Sequence, residues 1–172
     1  MSQSIVKQLS QKELIEFLGK CWMTHDGIWF YSTFMENGIE SANKINKAAI
    51  KSLAPIEIHR LKKLMGIEAI SSYEDLKKFF ADAAELLIPD FMNISLKFPG
   101  NNIATWEFNE KKCFAYNGIK ALGVIDQYEC GPIYRIKCWL DTLGIKHEFE
   151  HDLDKCVMPS QGECSGKIVF KF

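Results

Sequence analysis

The first third of the chain carries apolar residues at steps of three and four, which is the period of an amphipathic helix. Ser10 and Glu13 form a capping-box pattern in front of the first such run, so we expect a helix to begin there. Asn37 and Gly38 are residue types that commonly end a helix. The pattern therefore predicts a long first helix over residues 10–36.

Three more helical runs follow before residue 90. One covers residues 39–53, and another begins near Pro55, which suits a first helical turn, and ends at Gly66. Ser71 repeats the capping pattern ahead of a run that ends at Pro89. We therefore expect these residues to form several separate helices.

The apolar period then falls to two, as in strands with one buried face. Residues 92–98 and 104–108 alternate in this way on either side of a turn signal at Pro99–Asn102, which predicts a hairpin. Two later segments, 146–153 and 167–172, show the same alternation. The order of elements predicts an α+β fold with a helical N-terminal half followed by a small antiparallel sheet.

Length and composition fit one globular domain. We expect a single domain over residues 1–172, with a mainly helical part at 1–90 and a sheet and zinc-binding part at 91–172. The formal net charge of −1 gives no electrostatic footprint for nucleic acid. The start lacks the features of a signal peptide, and no apolar run could span a bilayer. These observations predict a cytoplasmic protein with neither nucleic acid nor a membrane as partner.

Six cysteines in a reducing compartment favour thiol or metal chemistry over a disulfide framework. Cys21 and Cys138 fall within helical runs, where a small apolar side chain serves packing. Zinc prefers tetrahedral coordination by thiolate or imidazole on backbone that the fold already fixes. A metal site is therefore predicted, with free thiols as the alternative and iron as the alternative to zinc. Its candidate ligands lie in loops or at element boundaries: Cys113, Cys130, Cys156 and Cys164.

Three of these cysteines also carry a resemblance. The run Cys130, Cys156 and Cys164, whose last two members flank a glycine turn ahead of the final strand, resembles the zinc-binding end of the 4-vinyl reductase-type ligand-binding domain. That domain occurs in sensor modules of bacterial aromatic-compound regulators and is related in fold to a Golgi-transport subunit family. The resemblance covers roughly the last seventy residues. It implies zinc as cofactor and a sensor-like protein that binds a small aromatic or heterocyclic molecule.

The fourth metal ligand is a separate question. In that family a carboxylate close before the second cysteine can be a ligand, but Leu153 stands at the nearest position here. The replacement is Cys113 or one of His151, Asp152 and Asp154. The whole chain also resembles an uncharacterised family described as 2-amino-thiazoline-4-carboxylate hydrolase-like, through "CWMTHDGIWF" and a similar cysteine series, which favours Cys113. Four thiolates would make zinc structural, whereas three thiolates and a water could be catalytic.

A second candidate site lies on the first predicted helix, where one broad face carries Trp22, His25, Asp26 and Trp29. With Trp106, the two indoles would line a ligand pocket. His25 would then act as a catalytic base or hydrogen-bond donor and Asp26 as a polar contact. The alternative is that the tryptophans and His25 belong to the core while Asp26 faces solvent.

Three functions remain open at this point. The first is a zinc-containing module that binds a small organic ligand, and the second is a hydrolase of a small ring or amide. The third is a metal-stabilised homodimer, because the related fold is frequently paired through its helices. The sequence has no Gly-rich phosphate loop and no Ser-His-Asp arrangement, which disfavours nucleotide chemistry and the common protease mechanisms.

Overall fold

The computed structural model describes residues 4–108 and 112–172, and its architecture is α+β. The helices are α1 (Ile5–Gln8), α2 (Gln11–Met65), α3 (Tyr73–Leu87), α4 (Phe114–Ala121), α5 (Gly131–Leu143) and α6 (Met158–Gln161). The strands are β1 (Ile94–Gly100), β2 (Ile103–Phe108), β3 (Lys146–Phe149) and β4 (Ser165–Lys171). The predicted class, a helical N-terminal half followed by a small antiparallel sheet, is confirmed.

Helix α2 consists of two helical segments that meet at Gly38. It begins at the predicted capping box, where the Ser10 hydroxyl accepts a hydrogen bond from the Glu13 N–H at 3.2 Å. It ends at Gly66, which adopts the left-handed conformation. Gly38 has a φ of 78° and interrupts the helical geometry. The predicted end of the first helix at Asn37 and Gly38 is therefore confirmed as a break, and a second helical segment of α2 follows directly.

Two predicted boundaries are wrong. Pro55 does not open a new helix but lies inside α2, where it removes one backbone hydrogen bond. Its neighbours Ala54 and Ile58 are buried in the core, and this packing keeps the helix continuous. Helix α3 is capped one residue later than predicted, by Ser72, whose hydroxyl accepts a hydrogen bond from the Asp75 N–H at 3.1 Å. None of the helices in the described ranges combines the length and apolar character of a membrane span.

The strands form one antiparallel sheet in the order β1-β2-β4-β3. The predicted hairpin is confirmed, with Leu96 of β1 opposite Trp106 of β2. Its turn is made by Asn101 and Asn102, whose φ angles of 53° and 57° are ones that asparagine tolerates. The last strand, β4, is central because it pairs with both β2 and β3.

The core lies where α3 and α5 meet the sheet. Phe80 of α3 contacts Phe98 of β1 and Trp139 of α5, with ring centroids 5.8 Å and 6.0 Å away. The hydroxyl of Tyr73, at the start of α3, donates a hydrogen bond to the Ile103 carbonyl at 2.7 Å. These contacts fix the hairpin against α3 and fix α3 against α5.

The position of Trp106 depends on a glycine in the neighbouring strand. Trp106 pairs with Gly166, and a Cβ atom at Gly166 would lie 2.3 Å from the indole ring. We predict that Gly166→Ala lowers the free energy of unfolding by about 1–3 kcal/mol, because the indole must leave its packed position. Chemical denaturation measures the change. Gly118→Ala is the control, since its Cβ would meet no atom within 4 Å, and equal stability of the two variants would contradict the prediction.

Candidate metal and ligand sites

The four cysteines predicted as metal ligands line one cavity. Its volume is about 20 Å³, and its walls include Cys113, Cys130, Cys156 and Cys164, all of them free thiols. Space of this size holds about one water molecule. The cavity can therefore receive a single ion but not an organic molecule.

Three of these thiols lie at the beginnings of helices. Cys113 is the N-cap of α4, Cys130 is the N-cap of α5, and Cys156 lies two residues before α6. Helix N-termini present free N–H groups, which stabilise a nearby thiolate. Within the described chain, neither the Cys113 nor the Cys130 side chain forms a capping hydrogen bond. The N–H groups that lower the thiol pKa values belong to Ala115 and Tyr116 for Cys113, Ile133 for Cys130 and Met158 for Cys156.

Burial outweighs these N–H groups and keeps the thiols neutral. It raises the pKa of Cys113 to about 11, that of Cys130 to about 12 and that of Cys164 to about 11, and it also raises the pKa of Cys156. Their mutual proximity adds to this effect, because Cys156 and Cys164 raise the pKa of both other thiols. A bound cation would reverse the balance and favour the thiolates.

Cys164 lies beside a buried indole. The Phe108 N–H donates a hydrogen bond to the Cys164 carbonyl at 3.0 Å, which holds the cysteine at the entry to β4. Among the described residues, Nε1 of Trp106 is buried and forms no hydrogen bond. It nevertheless lies near enough to Cys164 to lower the pKa of that thiol. A thiolate at Cys164 would supply the acceptor that this indole lacks.

The segment that leads into α5 is fixed by α2. The buried Asn43 donates a hydrogen bond from Nδ2 to the Gln127 carbonyl at 2.7 Å, and its Oδ1 accepts one from the Glu129 N–H at 3.2 Å. The Cys156 N–H donates to the Tyr128 carbonyl at 3.2 Å. The long helix thereby positions two regions of the cysteine cavity.

The thiols share a cavity but are not in coordination positions. Within residues 4–108 and 112–172, no group of three or more His, Cys, Asp or Glu side chains is arranged so that it could hold a metal ion. A tetrahedral zinc site needs each sulfur about 2.3 Å from the ion. Metal binding would therefore require the thiols to turn towards a common centre.

The other candidate ligands differ in their surroundings. His151 and Asp152 line the cysteine cavity beside Leu153. Asp154 instead accepts a hydrogen bond from Nζ of Lys47 at 3.0 Å. His151 and Asp152 thus remain alternatives to Cys113, whereas Asp154 already has a partner.

The three tryptophans predicted to line a ligand pocket have three different surroundings. Trp106 is buried in the wall of the cysteine cavity. Trp22 packs against Arg135, whose guanidinium carbon lies 4.9 Å from the centre of the indole. Trp29 is 61% exposed. The three tryptophans therefore do not meet in the common pocket that was predicted.

The remaining predicted residues of the first helix also face outwards. His25 is exposed, and Asp26 lies on the wall of a groove between α2 and α4. Asp26 is exposed, but the surrounding protein surface partly desolvates its carboxylate and raises its pKa, while Arg135 and His25 act in the opposite direction. Cys21 is exposed, so its predicted role in packing is wrong, whereas Cys138 is buried as predicted.

Glu57 is a buried carboxylate that the sequence pattern did not predict. Nε of Arg135 donates a hydrogen bond to Glu57 Oε2 at 3.1 Å, and Arg135 Nη2 forms a second contact with Oε1. Nε1 of Trp139 donates to Glu57 Oε2 at 2.8 Å. The helical spacing of buried Ile58 and Leu61 places Glu57 on the same side of α2, and this was the available signal.

The helical half matches a known family model. The match covers residues 6–93, just over half of the chain, and the family is described as a family of unknown function, DUF6125. The chain belongs to this family. The match to DUF6125 ends before all four cavity cysteines. No curated protein and no solved structure matches the chain.

The two hydrogen bonds of Asn43 form a clamp on the segment before Cys130, and replacing Asn43 tests how the cysteine cavity is positioned. We predict that Asn43→Ala lowers the free energy of unfolding by about 1–3 kcal/mol, because two backbone groups lose their partner. Urea denaturation measures the loss. Asn117→Ala is the matched control, since Asn117 is exposed on α4. A stability loss no larger than that of the control would show that the clamp is unimportant.

Proposed function

We propose that the protein is a zinc-binding module that also binds a small organic ligand, in the manner of a sensor domain. Cys113, Cys130, Cys156 and Cys164 would hold the zinc. The observation that carries the proposal is that these thiols line one cavity of about 20 Å³. A relationship to the 4-vinyl reductase-type domain is part of this proposal.

The surroundings of the thiols fit zinc in chemical terms. Thiolate is a preferred zinc ligand, and N–H groups already lie near all four sulfurs. Because the thiols are neutral at pH 7, zinc binding would release protons as the sulfurs ionise. The ion would join the starts of α4, α5 and β4 and the segment before α6. Its main effect would be to stabilise the C-terminal half.

The organic ligand needs a place of its own, because the cysteine cavity has room only for an ion. Aromatic side chains on α2 and α4 offer surfaces on which a flat molecule could pack. Zinc would then support the ligand site by holding the start of α4. The zinc and the ligand thus have separate roles.

Hydrolysis of a ring or amide is the alternative, and it needs an open metal position or a base beside the substrate. Four thiolates would leave no open position on zinc. His25, the proposed base, is exposed on α2. We therefore favour binding over hydrolysis.

Zinc content tests the metal part of the proposal. We expect elemental analysis of the purified full chain to give one zinc per chain, and both Cys113→Ser and Cys156→Ser to lose it, because each removes a thiolate ligand. Cys138→Ser is the matched control, since Cys138 is a buried cysteine outside the cavity, and it should retain the metal.

Other outcomes are equally informative. Zinc retained only in Cys113→Ser would assign the fourth position to His151, Asp152 or water. A metal-free purified chain that takes up no added zinc would contradict the proposal, and iron in place of zinc would correct the metal.

A homodimer is a second candidate function, favoured by an exposed stripe on α2. We call this stripe the apolar seam, and its residues follow the 4-3-4-3-4 spacing of helices that pair with each other. All six side chains are exposed: Phe17, Cys21, Thr24, Ile28, Tyr31 and Met35. The seam lies opposite the face on which Thr33 is buried against the protein.

The seam exposes apolar area that a second copy could cover. Its four large apolar side chains, Phe17, Ile28, Tyr31 and Met35, are 44–62% exposed. Together they expose roughly 450 Å², and the largest patch on a typical monomer measures about 300–600 Å². A stable interface buries about 800 Å² on each partner. A dimer formed through the seam would therefore also bury polar side chains on either side of it.

Light scattering tests the dimer. We expect the wild-type chain to have twice its monomer mass of 19.7 kDa, and both Phe17→Glu and Met35→Glu to be monomeric, because a carboxylate would be buried in the interface. Ser52→Glu, at an exposed position outside the seam, is the control and should stay dimeric. A wild-type monomer at micromolar concentration would contradict the prediction.

A further inference from the structure

A groove with the volume of a small-molecule site lies between the first half of α2 and α4. Its volume is about 320 Å³, at the lower end of the range for ligand sites. Aromatic and aliphatic side chains form most of its wall, among them Phe30, Phe114 and Tyr128. Phe30 and Tyr128 contact each other edge to face, with ring centroids 5.7 Å apart. The groove therefore offers aromatic surfaces to a flat molecule.

Two glycines keep this groove open. Gly27 of α2 and Gly118 of α4 both line it, and a Cβ atom at either position would meet no atom within 4 Å. Neither glycine has a positive φ, so neither is required by its backbone conformation. A glycine inside a helix costs about 1 kcal/mol relative to alanine. The space that these glycines leave is thus not explained by packing or by helix stability.

One carboxylate faces the groove without a direct partner. Within the described part of the chain, no hydrogen bond or ion pair to the side chain of Asp26 is formed, although Arg135 and His25 lie near enough to act on its charge. The guanidinium of Arg135 is already bound to Glu57. Asp26 is therefore free to bind a positively charged or N–H-donating group.

We propose that this groove binds the small organic ligand, and that the ligand is a flat aromatic or heterocyclic molecule with an amidine-like or ammonium group that contacts Asp26. The inference rests on the proposed ligand-binding function and gives it a site and a chemical class. The ring would pack among Phe30, Phe114 and Tyr128. The cationic group would form charge-assisted hydrogen bonds with the carboxylate.

Calorimetric titration with benzamidine tests the proposal, with neutral benzamide and anionic benzoate as comparison compounds. We expect benzamidine to bind the zinc-loaded full chain more tightly than benzamide, and benzoate not to bind. Asp26→Asn should raise the Kd for benzamidine about tenfold to a hundredfold, because a charged hydrogen bond is lost. It should leave the Kd for benzamide nearly unchanged.

Filling the groove is an independent test. Gly118→Leu should abolish benzamidine binding without lowering the melting temperature, because leucine favours a helix and meets no atom at its Cβ. Asn117→Leu, on an exposed part of the same helix, is the matched control and should bind normally.

The results separate this inference from the function on which it rests. Failure of the folded wild-type chain to bind benzamidine would overturn the groove proposal, as would binding that survives both Asp26→Asn and Gly118→Leu. In the second case ligand binding itself would stand, at another site. Zinc measured on the same samples tests the metal site separately, because none of these substitutions touches a cavity cysteine.

Discussion

The buried carboxylate of Glu57 joins the two halves of the protein. It accepts hydrogen bonds from Arg135 and Trp139, both on α5, and so fixes that helix against α2. A buried charge is costly unless it is paired and hydrogen-bonded, which makes this arrangement specific. Because Cys130 is the N-cap of α5 and Arg135 of α5 packs against Trp22, both candidate sites depend on the position of this helix.

The cysteine cavity also depends on contacts between distant parts of the chain. The fold brings four thiols to one place by means of helix starts, a strand entry and the Asn43 clamp. It then leaves them neutral, with N–H groups nearby and one buried indole N–H unpaired in the described chain. A cation would favour thiolates at all four positions, and the thiolates would accept hydrogen bonds from these N–H groups, whereas a disulfide would involve only two of the sulfurs. This is the physical reason to favour a metal over a redox pair.

The parts of the fold that depend on short-range sequence pattern could be predicted. The hairpin followed from alternation and the turn signal, and the end of α2 followed from Gly66. Helix α4 has only eight residues and α6 has four, too few for a helical period to be recognised. The continuation of α2 through Pro55 depends on tertiary packing, which outweighs local preference.

The candidate sites likewise contain residues that the sequence could group and residues that it could not. The cysteines could be grouped from the sequence because few residue types bind zinc and because their positions suit ligands. The tryptophans could not, because any of several neighbours can pack against an indole. Trp22 packs against Arg135 and Trp106 against Gly166, and neither partner could be read from helical or strand periodicity.

The apolar seam and the groove share part of their surface. Ile28 and Tyr31 belong to the seam and also line the groove. A second copy bound to the seam would therefore contact part of the groove wall. Shared use of these two residues would make the binding free energies of the ligand and of the second copy interdependent, and linkage requires the effect to be reciprocal. A ligand that strengthened pairing would itself bind more tightly to the dimer, which is the behaviour that a sensor module needs.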